Sequence, residues 1–167
     1  MVMNIVTTTP CLAITGGEQV WVAMKKSNVI DTELLGDLFY GAAHAMGGSS
    51  LTNDELISVA NDTFKDRHYC VVRHWMLLDV LPSPSIEQDI KAQGLETTIL
   101  FAQLMVFDSQ NKHRPGESVL SGYQRDLDGC IFESKDMLYI LAGRGARKHV
   151  SVPAVAALHE YLLGLVK

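Results

Sequence analysis

Tyr69-Cys-Val-Val-Arg-His-Trp-Met-Leu-Leu-Asp-Val-Leu81 is the stretch on which the fold turns. β-Branched and aromatic side chains crowd it, the composition that suits a pleated, buried surface. Thr97–Phe107 has the same character. Between the two runs, Pro82-Ser83-Pro84 breaks the strand, and Ser85 opens a short helix to Gln93, with Gln88 three residues after the cap and Gly94 as its stop. Strand, helix and strand therefore follow one another.

Downstream, three short runs read as a meander: Ser118–Tyr123, Cys130–Glu133 and Met137–Ala142. Asp128-Gly129 and Lys135-Asp136 supply the turns, the first as a type I′ hairpin with positive φ at both central residues. Ser151 then caps a last helix with Pro153 in its first turn and Val155, Leu158, Leu162 and Leu165 along one side. Upstream, Thr52-Asn53-Asp54-Glu55 is a capping box opening a helix that buries Leu56, Val59, Ala60 and Phe64. An earlier helix is expected from Asp31 to Met46, with Leu34, Leu35, Leu38, Phe39, Ala42 and Met46 as its stripe and Gly47-Gly48 as its stop. Gly36 and Gly41 each cost that helix about 1 kcal/mol. Gly16-Gly17 followed by Gln19–Met24 suggests one more strand.

The expected class is α+β, a mainly antiparallel sheet with about four helices packed on it. One domain spans 1–167: an acidic, mostly helical part (1–66), a sheet-rich part (67–150) and a C-terminal helix (151–167). Its 167 residues, 47% hydrophobic and 20% charged, exclude a disordered or fibrous chain.

Charge is unevenly placed. Residues 1–66 hold three basic side chains (Lys25, Lys26, Lys65) and eight acidic ones, whereas 67–167 hold eleven of each, so the whole net charge of −5 lies in the first part. Solvated helix faces would give this pattern, and so would an acidic face, Asp54, Glu55, Asp62 and Asp66, that meets a basic partner. Cys11, Cys70 and Cys130 lie about sixty residues apart with no CxxC, which excludes a disulfide framework or zinc knuckle and fits a reducing cytoplasm. Met1–Pro10 lacks the basic and apolar regions of a signal peptide. The longest strongly apolar stretch, Ile99–Phe107, is about half a membrane span.

Gly143-Arg-Gly-Ala-Arg-Lys-His149 reads as a basic turn. Backbone amides freed by the glycines, with Arg144, Arg147, Lys148 and His149, would hold a phosphate or carboxylate. A polar loop, Asp108–Gly116, carries Lys112, His113 and Arg114 at its crest and would extend that site into one basic edge if the two lie side by side. Gly143-x-Gly145 lacks the third glycine of a dinucleotide fingerprint, and Gly116-Glu-Ser-Val-Leu120 is no nucleophile elbow. The six histidines form no HExxH; His68 and His74 share a strand face by parity but lack a third ligand. No catalytic residue, metal or cofactor is expected.

Ser121, Phe132, Ser134, Tyr139, Leu141, Gly143, Gly145, Arg147 and Lys148 trace a pattern, F-x-[TS] followed by Y-x-L-x-G-x-G-x-R-K. It resembles the C-terminal signature of small uncharacterised bacterial domains, with His74-Trp75 and Asp79–Pro82 as further matches. The resemblance covers about residues 70–148 and departs at Asp136-Met137, where a more polar turn belongs. It implies a bacterial accessory protein, encoded on phages or genomic islands, of no known activity.

Three functions follow as expectations. The first is a non-enzymatic protein docking on a macromolecular partner, expected to be another protein, as immunity proteins and defence inhibitors do. The second is an anion- or nucleic-acid-recognising module built on Gly143–His149. The third is a small hydrolase or transferase whose residues converge from distant positions.

Overall fold

The computed structural model describes residues 31–165; the expected strand Gln19–Met24 lies outside them. Helix α1 (Thr32–Tyr40) begins where the Asp31 carboxylate accepts the Leu34 amide at 3.1 Å. It ends at Tyr40, six residues before the expected end, and His44–Gly47 instead forms strand β1. A Cβ at Gly41 would lie against the Asp37 carbonyl oxygen, and the chain leaves the helix there in an extended conformation. Pairing with a distant strand then decides the fate of the tail that periodicity assigned to the helix.

Helix α2 (Asn53–Thr63) has the full capping box: Thr52 Oγ1 accepts the Glu55 amide at 3.3 Å while Glu55 Oε2 accepts the Thr52 amide at 2.8 Å. Leu56 and Ala60 are buried, but Val59, expected among them, is 54% exposed. Strand β2 (Tyr69–Leu81) leads into α3 (Pro84–Ala92), whose cap is Ser83 rather than Ser85, because Pro84 takes the first helical position, where its missing N–H costs nothing. Strands β3 (Glu96–Asp108), β4 (Val119–Asp128), β5 (Ile131–Ser134), β6 (Leu138–Leu141) and β7 (Arg144–Ser151) follow, and α4 (Val152–Leu165) closes the described chain, with the Ser151 hydroxyl accepting the Ala154 amide at 3.2 Å. In the β4–β5 hairpin Asp128 pairs with Ile131, so the loop is Gly129-Cys130. Only Gly129 has positive φ (+57°), the sign pattern of a type II′ rather than a type I′ turn.

The expected α+β arrangement, a mainly antiparallel sheet with about four helices packed on it, is overturned. β2, β3, β4, β5 and β6 form a closed five-stranded barrel, and the pairing is mixed. The topology explains the mixture. Four antiparallel steps carry a meander from β2 to β6, and a fifth strand then runs in the direction of the first, so the ring closes through a parallel pair, Tyr69↔Leu138 to Val72↔Leu141. Closure also explains why every residue from Tyr69 to Val72 is buried. One side of the strand faces the barrel interior and the other lies under α2.

Beyond Val72 the same strand changes partner. From Trp75↔Gly145 to Leu81↔Ser151 it pairs in parallel with β7, whose other edge holds β1 antiparallel, and these strands make a wing on the barrel. The register moves by one residue between the β6 and β7 pairings, a bulge at Ala142–Gly143. Both strands mark it with left-handed backbone, His74 at φ +52° and Gly143 at φ +70°. Segment 48–49 locks the bulge: the Gly48 amide donates to Gly143 O (2.7 Å), and the Gly143 amide to Ser49 O (2.8 Å).

Three apolar clusters result. Cys70, Val72, Leu100, Met105, Val119, Phe132 and Tyr139 belong to a cluster that draws on all five barrel strands and fills the interior. A second joins α1, α3 and α4 to the wing and β3, and a third seats α2 on β2 and β6.

Candidate functional site

The basic run expected as a turn, Gly143–His149, is strand β7 apart from its first residue, and successive strand residues point to opposite faces. Arg147 is bound in a fork by Asp79, with Nε to Oδ2 at 2.8 Å and Nη2 to Oδ1 at 2.9 Å, and Thr98 Oγ1 donates to the same carboxylate at 2.7 Å. Burial pushes the Asp79 carboxyl up, but those hydrogen bonds outweigh it and hold the group below the ordinary value. Lys148 turns the other way. It is buried, and its ammonium donates to Asp37 O (2.6 Å) and Leu38 O (3.3 Å), so a cation caps the carbonyl end of α1. Arg144 and His149 remain exposed.

Lys112 and Arg114 are exposed on the β3–β4 loop. The root of that loop, Asp108, pairs with Cys70, whereas Gly145 pairs with Trp75 and Lys148 with Leu78. Extended strand at ~3.3 Å per residue sets the root of the loop about 16–26 Å from the basic run along β2. On the acidic side, Glu55 is occupied by its capping box, while Asp54, Asp62 and Asp66 are exposed on and just after α2.

A second group converges at one mouth of the barrel. His68 precedes β2, Cys70 lies in it, and Asp108 ends β3; ligand atoms from all three lie within 4.8 Å of one another. His68 Nε2 is 2.5 Å from Asp108 Oδ1. The Asp108 carboxylate also accepts backbone amides from Gln110 (2.9 Å), Lys112 (3.1 Å) and His113 (2.9 Å), which folds the loop around it. Burial raises this carboxyl, yet the amides and His68 prevail and keep it below its ordinary value. Cys70 responds in the opposite sense: burial, then the neighbouring Asp108 charge, push its thiol up to about 12. Met137, on the β5–β6 loop, brings its sulfur to 3.4 Å from Cys70 Sγ. A protonated thiol beside a carboxylate is the reverse of an activated nucleophile.

Sequence reasoning missed this group because its members are 40 and 67 residues apart from β2. The available signal was a polar residue at each end of paired apolar strands, His68 before one and Asp108 after the other.

Fold and site define a small barrel protein with a sheet wing, its mouth stoppered by a polar and sulfur-bearing cluster. Residues 46–157 match a family model described as Domain of unknown function (DUF6957), and the chain belongs to that family. The match begins in β1 and ends in α4, so it takes in the whole barrel and leaves α1 outside. No curated protein and no solved structure matches the chain.

Proposed function

We propose that this protein is a non-enzymatic binding protein that docks a basic protein partner on the outer face of α2. One observation carries the reading. Among the described residues Asp54, Asp62 and Asp66 are exposed and enter no ion pair, and the stretch from Asp54 to Asp66 holds a single cation, Lys65, against four carboxylates. The unneutralised charge on this surface is therefore negative, and Val59, 54% exposed between Glu55 and Asp62 in sequence, gives it an apolar centre. Such a surface speeds association and selects the partner, with an effect that falls as salt rises. On this reading the chain is a bacterial or phage accessory protein of the immunity or defence-inhibitor type, working in a reducing cytoplasm, and the Phe132–Lys148 pattern is its family's signature.

A second reading, anion or nucleic-acid recognition, is favoured by Lys112, Arg114 and Arg144, three exposed cations that enter no ion pair among the described residues. One experiment separates the two. A partner captured from bacterial lysate is titrated with the wild-type chain, with Asp54→Lys/Asp62→Lys/Asp66→Lys, and with Lys112→Glu/Arg114→Glu/Arg144→Glu. The first variant is expected to lose affinity at least tenfold at low salt with circular dichroism unchanged. Unaltered affinity there, with loss in the second variant, replaces the docking reading by anion recognition.

A further inference from the structure

We infer that the barrel mouth is a transition-metal site, with His68, Cys70 and Met137 as ligands, Asp108 completing the set, and copper(I) as the preferred ion. No step of the docking reading uses these residues. The donors are one imidazole nitrogen, one thiolate, one thioether and one carboxylate oxygen, brought together from the start of β2, the end of β3 and the β5–β6 loop. Thiolate and thioether sulfur favour soft ions, copper(I) and zinc among them; the thioether beside the thiolate tips the set toward copper(I), and the imidazole and carboxylate keep zinc as a competitor.

The spacing is near that of a metal site. A tetrahedral ion with bonds of about 2.0–2.3 Å sets its ligand atoms roughly 3.3–3.8 Å apart. Here the His, Cys and Asp donors lie within 4.8 Å of one another and the two sulfurs at 3.4 Å, and the His68–Asp108 hydrogen bond, at 2.5 Å, gives way as the ion enters. The frame is already rigid. Cys70 is paired on both sides, to Asp108 in β3 and Tyr139 in β6, and Asp108 is fixed by three backbone amides, the outer-shell support that metal ligands need. At the rim His68 and Met137 are partly exposed and give the site its contact with solvent.

A purely structural role for Asp108, stapling its loop, explains the amide bonds but not the two sulfurs beside it. Valine and leucine would fill the same volume. On binding, the Cys70 sulfur bonds to the ion and its proton passes to water.

The test uses the full chain carrying Cys11→Ser and Cys130→Ser, so that Cys70 is the only thiol. Copper(I) is titrated anaerobically against a chromogenic chelator, and zinc(II) against a competing dye. One copper(I) per chain is expected. Cys70→Ser and His68→Gln should each weaken it more than thirtyfold, and Met137→Leu about tenfold for copper(I) but less than twofold for zinc(II). Because Cys70 is fully buried, a Ser variant that fails to fold leaves Met137→Leu and His68→Gln, both at the rim, to decide the question. Absence of stoichiometric binding, or affinity unmoved in both rim variants, overturns the assignment.

Discussion

Gly145 lies under the Trp75 indole, where an added Cβ would collide with the ring. Trp75 cannot retreat easily, since its Nε1 donates to Ala142 O at 3.2 Å inside the core. Gly145→Ala is therefore expected to destabilise the protein by about 2 kcal/mol, in the range of core overpacking. Gly47→Ala, which meets nothing within 4 Å, should fall within ~0.5 kcal/mol of wild type. Urea unfolding of the two variants checks the contrast. The sequence reads Gly143-x-Gly145 as a turn whose glycines free backbone amides, whereas in the structure both are positions where side chains are unwelcome. Why they are unwelcome was not legible: one bears positive φ at a bulge and the other admits a ring from a strand seventy residues earlier. Arg147 and Lys148 teach the same lesson, because the partners that absorb them, Asp79 and the end of α1, are remote in sequence.

Among the elements, some announced by their own ends were readable, although the Asp31 helix stops before its expected glycines and the Ser85 cap moves to Ser83. The Thr52 capping box, the Ser151 cap and the span Tyr69–Leu81 all stand where local chemistry places them. β1 and β7 were not readable. His44–Gly47 carries the tail of a helical stripe, and Arg144–Ser151 has the composition of a polar turn; each becomes a strand because a neighbour offers a row of hydrogen bonds. Lys148 then ties β7 to α1. Lys148→Met would leave the carbonyls of Asp37 and Leu38 without their buried donor, at a cost of about 2 kcal/mol. Hydrogen exchange should show faster opening of the α1 amides in that variant, with α2 unaffected.

At the scale of the molecule, closure of the barrel rests on the pairing of β2 with β6, whose partners are 69 residues apart, and no local pattern specifies such a contact. The convergence of His68, Cys70 and Asp108 at the mouth was illegible for the same reason. Acid sensitivity is also a property of the whole. Asp79 and Asp108 both have folded pKa values below the ordinary 3.8, so near that pH the unfolded chain binds more protons than the folded one. Their contribution is complete above about pH 5 and is lost as pH falls through 3.8 and on below the folded values. Thermal melting followed from pH 6 downward should show that decline, and Asp108→Asn should make it shallower. One further consequence comes from β2, a stave of the ring along its first residues and the spine of the wing along its last. A peptide bond severed between Arg73 and His74 would maim both lobes at once. Neither could then survive as a separate fragment, so the two lobes fold and fail together.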